Sequence, residues 1–564
     1  MKFDLFVLPF TIGLAFVLLA SVFLFSRWII ALNASDKWKL FRGVFSLKIF
    51  AVVGEVITES LLHRRIFKVN PRLGFMHMSL ATGWFLLIVI GNLESRYYSE
   101  IPVNPPYYPI FFKFFHHYKA VTTTGMFYTF MLDFLLLLIL TGLGFAIAKR
   151  INPARVKMKR TTVQQPFDKI ALTALWWIFP LRLLAESFTS GMYHHGGFMT
   201  NSLGTLFSMF LPLESLSYMA WWGYSSALFA FFIAVPFSRY MHIPAEILLI
   251  AFRRFGLNSG GQKGSFTDLE VHSCPRCGIC IDACQIVNDA NMVETASVYF
   301  LHSVRNNITK REIIYNCLQC GRCAAYCPVK IDTQGIRLAE RYFKYNTGAS
   351  TFDYITPQPV EKAEVVYFAG CMAHLTPSVK ISMVKIMENS RENFTLLDEN
   401  QTICCGRPLM LSGKLNEARA LIAKNKEIIA RSGAKKLVTS CPICFKIFRD
   451  EYSLEIEVLH HSQYLLQLVK EKKIAFQPSG YSVVYHDPCD LGRGSGVYEE
   501  PRELLGEFST LLNIDNQREK GLCCGGSLGN FQLSQQQRDK ISQAAVKHLR
   551  SEERRVGKEC RSRW

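Results

Sequence analysis

A chain of 564 residues is too long for one hydrophobic core, so two or three domains are expected. Its 49% hydrophobic content sits mostly before residue 252, and its net charge of +19 belongs largely to the same region. Residues 1–260 hold 24 Lys/Arg against 11 Asp/Glu, the distribution of membrane-flanking loops, which argues against a nucleic-acid partner. The final stretch, Arg550 to Trp564 (RSEERRVGKECRSRW), resembles a translated sequencing-library adapter; excluding it as a non-native scar lowers the charge to +16.

In chain order, the first part reads as an α-helical transmembrane bundle over 1–252. A span needs about 20 mostly apolar residues. Six segments qualify: 5–31, 44–62, 73–93, 121–148, 169–189 and 214–236, the second interrupted by Lys48, Glu55 and Glu59. Loops 64–72 and 149–160 are strongly basic, and loop 190–213 has neither Lys nor Arg. Placing the basic loops in the cytoplasm gives six spans with both termini inside, although Lys37, Lys39 and Arg42 then lie on the wrong side.

Histidines gather at span ends: His63, His77 and His242 on the inner side, His116, His117, His194 and His195 on the outer. Histidines from two helices can clamp a haem iron axially, so a pair near each face would carry electrons across the bilayer. His77 with His242, and His194 with His116, are the pairs expected; solvated interfacial histidines are the plainer alternative. Arg182 and Glu186 lie one turn apart and either neutralise each other or hold a haem propionate and a proton path. Glu55 and Glu59 are the corresponding candidates for carrying protons to a quinone.

All seventeen cysteines follow residue 273. So many thiols at metal spacing point to a reducing cytoplasm rather than a disulfide scaffold. Two runs, Cys274, Cys277, Cys280, Cys284 and Cys317, Cys320, Cys323, Cys327, place three thiolates around one cube, the fourth crossing to the other cluster. Cys327 therefore joins the first three, and Cys284 joins Cys317, Cys320 and Cys323. Zinc is the weaker reading, because repeated triple-cysteine runs suit iron–sulfur chemistry. Gln285 stands where proline usually follows the fourth cysteine. Residues 261–350 thus read as a helical ferredoxin-type domain with two [4Fe-4S] clusters.

From residue 361 to 549 short strands at 364–369, 435–439 and 481–485 alternate with helices, each strand running into a cysteine. Cys371 to Cys489 and Cys404 to Cys523 repeat at 118 and 119 residues, which indicates a duplicated α/β unit. Cys371, Cys404, Cys405, Cys441 and Cys444 are five thiols from three loops, more than one zinc or one ordinary cubane requires.

These residues carry a resemblance. C-x32-CCG-x34-CPIC, with HDPC at 486–489 and a second CCGG, resembles the cysteine-rich (CCG) domain of heterodisulfide reductase-related oxidoreductases. The N-terminal half is similar to haem-b subunits of the nitrate reductase gamma type. The combination resembles membrane-bound (Fe–S) oxidoreductases, including electron-transferring-flavoprotein:menaquinone oxidoreductases. The resemblance implies a non-cubane four-iron cluster on Cys371, Cys404, Cys405, Cys441 and Cys444, which makes them the catalytic site. It also implies haem b, menaquinone as substrate, a cytoplasmic flavoprotein or dehydrogenase donor, and a multi-pass cytoplasmic-membrane location with the clusters inside. The second repeat offers Cys489, Cys523 and Cys524 but no C-x2-C; Cys560 falls at the expected offset inside the adapter-like tail, and the native end of the repeat is read as lost. Two further functions are a thiol–disulfide reductase and a non-catalytic electron relay.

Overall fold

The computed structural model describes residues 3–99, 104–117, 119, 121–258, 263–345, 360–399, 403–526 and 532–555. The chain divides into two compact units, one of residues 1–259 with 264–279, the other of 260–263 with 280–564. The division cuts through the first cysteine run: Cys274 and Cys277 fold with the apolar unit, Cys280 and Cys327 with the other.

In the first unit, five helices among the described residues are long and apolar enough to cross a membrane: Val7–Ile30, Pro71–Tyr98, Thr123–Ile151, Pro166–Tyr193 and Leu213–Phe237. The expected span at 44–62 is absent. That segment breaks into a short helix Lys48–Glu55 and a π-helix Val56–Leu61, because Arg65 and Arg254 draw Glu55 into ion pairs, at 2.7 and 2.5 Å. Apolar composition alone does not show that its charges are tied down in this way. Trp221, Phe179, Ile139 and Phe6 lie in the centre of the bundle core, while Leu19 and Phe23 of the first helix stand 71% and 66% exposed, as on a lipid-facing surface. Helix Pro166–Tyr193 meets helix Phe198–Ser208 at Gly191 and Gly204, where a Cβ on Gly191 would stand 2.5 Å from the Gly204 carbonyl oxygen. Close backbone approach at small residues is how bundles pack where apolar burial gives no drive.

The second unit starts with short helices around the cysteine runs, followed by helix Thr333–Tyr345. Its C-terminal part holds strands β1 (Val365–Phe368), β2 (Phe394–Leu396), β3 (Lys436–Thr439), β4 (Glu457–His460), β5 (Ser482–Val484) and β6 (Thr510–Leu512). The first four form a parallel sheet in the order β2-β1-β3-β4, and β5 pairs with β6 in parallel. Alternate residues feed two cores: Val366, Phe368 and Leu437 on one face, Val365, Tyr367 and Val438 on the other. Continuous apolar strands buried on both faces are what a parallel sheet requires. The duplication is visible as β1–β2 and β5–β6, each pair preceding a Cys-Cys-Gly turn.

Candidate metal centres

In an open parallel sheet the functional crevice lies beyond the carboxyl ends of the strands, where the strand order reverses. Here the order reverses between β1 and β3, and these two strands deliver Cys371 and Cys441. Gly370, at φ +84°, makes the turn into Cys371; a Cβ there would lie 2.6 Å from the Cys441 Cβ. Gly406, at φ +87°, turns the chain after Cys404 and Cys405. The five thiols form a hydrogen-bonded series, Cys371–Cys404–Cys405–Cys444–Cys441. Hydrogen bonds to Cys404 and Cys444 pull the Cys405 thiol down to about 5, and the bond to Cys444 also lowers Cys441. The bond to Cys404, with burial, pushes Cys371 upward. Cys405, Cys441 and Cys444 are buried; Cys371 is exposed.

Among the described residues, no group of three or more His, Cys, Asp or Glu could hold a single metal ion. A single zinc draws four ligands to within about 2.3 Å of one centre, whereas a multi-iron cluster takes each thiolate on a different iron. The dispersed series of five thiols fits the second arrangement.

The surrounding residues brace the loops. Asp398, buried, accepts hydrogen bonds from the Ala369 and Gly370 amides, at 2.8 and 2.7 Å, and from His374 Nε2 at 3.0 Å. Asn425 donates to the Cys404 carbonyl (2.8 Å) and Tyr452 to the Cys405 carbonyl (3.0 Å). Arg407 lies buried with its Nη2 at 3.8 Å from Asp490, the residue after Cys489. Sequence reasoning misses Asp398, His374, Asn425 and Arg407. Only Arg407, directly after Cys-Cys-Gly, carries a positional signal.

Cys284, Cys317, Cys320 and Cys323 line one recess of about 470 Å³, a donor set that suits a cubane. Burial raises Cys284 to about 12, while hydrogen bonding to Cys523 lowers Cys320 to about 6. Cys523 is also hydrogen-bonded to Cys489 and Cys524, so the second repeat brings its three cysteines together against this cluster loop. In the first unit, Lys149 donates to the Cys277 carbonyl (3.1 Å), Thr162 to the Arg276 carbonyl (3.0 Å), and Arg276 pairs with Asp168. The loop carrying Cys274 and Cys277 is thereby fastened to the ends of helices Thr123–Ile151 and Pro166–Tyr193.

The inner histidines also converge. His63 stacks on His77 with ring centroids 5.4 Å apart, and His77 Nε2 is buried with no hydrogen-bond partner. His242, Lys149 and Arg239 are the other charged or titratable groups facing His77. On the far side, His116 and His195 line one recess with Glu94, Lys113 and Thr129. His195 is buried, donates Nε2–H to the Lys113 carbonyl (3.0 Å) and leaves Nδ1 without a partner. His194, the member of the pair expected from sequence, is instead exposed in a left-handed conformation at the helix end. Adjacent histidines cannot be ranked without knowing where the helix stops. Buried imidazole nitrogens lacking partners suit axial ligation of a haem.

The fold and these thiols define a class: an iron–sulfur protein with a dicluster segment beside a duplicated cysteine-rich domain. Comparison with known proteins agrees. The 4Fe-4S dicluster domain family matches residues 270–331, and the cysteine-rich (CCG) domain family matches 365–449 and 483–562. The second match runs across the adapter-like stretch, and Cys560 lies outside the described residues. The chain is related to iron–sulfur oxidoreductases of the heterodisulfide reductase type. It is 28% identical over 275 residues to the cysteine-rich chain of the dihydromethanophenazine:CoB–CoM heterodisulfide reductase of Methanosarcina mazei, covering 46% of this chain and 63% of that one. It is 28% identical over 190 residues to the EtfAB:quinone oxidoreductase of Syntrophomonas wolfei, 32% of this chain and 26% of that one. It is 29% identical over 190 residues to the probable iron-sulfur-binding oxidoreductase FadF of Bacillus subtilis, 32% of this chain and 27% of that one. Its matches thus span under two thirds of each of these three proteins. No solved structure matches.

Proposed function

We propose that this membrane-associated chain passes electrons between a cytoplasmic donor and the menaquinone pool. The observation that carries the reading lies within the first unit: Lys149 and Arg239 face both the cubane cysteine Cys277 and the inner histidine His77. A cluster loop and a histidine group sharing the same two cations are neighbours, and electron transfer needs that proximity. The clusters and haem, when bound, supply one-electron chemistry; the protein places and tunes them. His77 and His242 are assigned to an inner haem, and His116 with His194 or its buried neighbour His195 to an outer one. Cys274, Cys277, Cys280 and Cys327 are assigned to one cubane, and Cys284, Cys317, Cys320 and Cys323 to the other. Cys371, Cys404, Cys405, Cys441 and Cys444 are assigned to the catalytic cluster. Cys489, Cys523 and Cys524 are assigned as further metal-facing thiols.

Five spans also give a simpler orientation than six. Loops 31–70 and 152–165 then share a side and carry eleven Lys/Arg, against two in loops 99–122 and 194–212. Lys37, Lys39 and Arg42 no longer conflict, and the cysteine unit faces the cytoplasm. A flavoprotein donor is supported by similarity to a protein named for EtfAB and quinone. The direct test is a reduced-minus-oxidised visible spectrum of detergent-purified protein with a menaquinol analogue as reductant. A haem-b signal is expected; its absence even with dithionite would overturn the haem assignment.

A second reading rests on the exposure of Cys371 while Cys405, Cys441 and Cys444 are buried. An open edge on the five-thiol site suits a small disulfide substrate, as in a thiol–disulfide reductase. Oxidation of dithionite-reduced clusters by a disulfide, in the absence of quinone, would favour it.

A further inference from the structure

The residue after the fourth cysteine of a ferredoxin run is commonly proline, which donates no backbone hydrogen bond and needs no partner. Here it is Gln285, buried, with both ends of its carboxamide engaged by one residue. Its Nε2 donates to the Cys523 carbonyl at 3.0 Å, and the Cys523 amide donates to its Oε1 at 2.6 Å. The two residues are 238 positions apart. A primary amide is the smallest side chain with a donor and an acceptor side by side, so it can close this two-bond ring on a peptide.

Two arginines reinforce the same junction. Arg322, between Cys320 and Cys323, donates to the Ala283 carbonyl (2.9 Å) and the Lys520 carbonyl (3.1 Å). Arg493 donates to the Cys320 carbonyl (2.7 Å) and the Gly521 carbonyl (2.6 Å). The second Cys-Cys-Gly loop is therefore bonded to both peptide segments that bear the cubane cysteines Cys284 and Cys320. The Cys320 and Cys523 thiols are themselves hydrogen-bond partners.

We propose that Gln285 is a positioning residue that holds the Cys523 peptide against the cubane loop, so that the second repeat forms a wall of that cluster and sets its potential. Hydrogen bonding and solvent exposure around cluster sulfurs govern the potential, and this wall controls both for Cys320. The inference rests on the reading that Cys284, Cys317, Cys320 and Cys323 hold a cubane. It also gives the incomplete second repeat a role that needs no cluster of its own.

The test uses the full-length protein and Gln285→Met, which keeps side-chain length and apolar bulk but removes both hydrogen bonds, with Gln285→Glu, which keeps the acceptor alone. Iron and sulfide content, amide hydrogen exchange of the 520–524 segment, and EPR-monitored redox titration of both cubanes are recorded. Expected for Gln285→Met is unchanged iron, at least roughly tenfold faster exchange at the Cys523 amide, and a displaced midpoint for one cubane while the other holds. Gln285→Glu should retain most of the amide protection. Unchanged exchange and midpoints in Gln285→Met would overturn the inference, as would loss of iron from the variant, which would make Gln285 an assembly residue. A wild-type protein without two cubane signals would instead sink the underlying cluster reading.

Discussion

At the scale of single residues, the two kinds of buried carboxylate behave differently. Asp398 satisfies three donors at the mouth of the five-thiol site. Removing it leaves the buried amides of Ala369 and Gly370 without an acceptor, at a cost of about 1–3 kcal/mol for each stranded group. Asp398→Ala should therefore lower stability to chemical denaturation and release the iron bound at Cys371, read by denaturant titration and iron content. Glu246 is the opposite case. Burial raises it from 4.5 to about 8, with Arg65 and Arg253 opposing the rise. Between those values the folded protein holds a proton that the unfolded chain has released. Stability from this group is full below about pH 4.5 and is lost as pH rises through 8. Glu246→Gln should flatten that slope, gaining on the order of 4 kcal/mol at pH 9 relative to wild type. Thermal unfolding of the detergent-solubilised protein across pH 5–9 reads the slope; parallel curves for the two proteins would refute the assignment.

At the scale of elements, the turn at Gly370 joins backbone geometry to cluster chemistry. Its φ of +84° is costly for any residue with a Cβ, and that atom would meet the Cys441 Cβ at 2.6 Å. Gly370→Ala should cost about 1–3 kcal/mol from strain alone and separate the strand-end cysteines, so that the five-thiol cluster is lost while the two cubane signals persist by EPR. Persistence of all clusters would show that the close approach is not needed. Three of the strands are legible along the chain because each is short, apolar and ends in a cysteine: 364–369, 435–439 and 481–485 contain β1, β3 and β5. β2 and β6 are three residues each and lack a comparable run. The span expected at 44–62 is missing for a related reason. Hydropathy counts residues, but Glu55 is neutralised by arginines 10 and 199 positions away, and such pairing is invisible along the chain. The exposed His194 and buried His195 differ by one position at a helix end, which periodicity cannot resolve. Gln285 is noticeable in the sequence only as a departure from proline; its partner Cys523 emerges only from the fold.

At the scale of the whole molecule, the contact division places half of the first cysteine run with the membrane helices and half with the cysteine-rich unit. A run shared in this way joins the two units covalently at the site where one cluster is assigned. The account therefore makes His77 the point through which electrons leave the clusters for the membrane. The measurement that tests this most directly is anaerobic stopped-flow re-oxidation of dithionite-reduced clusters by a soluble menaquinone analogue, comparing wild type with His77→Leu at equal iron content. The account predicts rapid cluster re-oxidation in wild type, and slow re-oxidation with a diminished haem signal in the variant. Equal rates in the two proteins would contradict it, because the clusters would then reach quinone without His77.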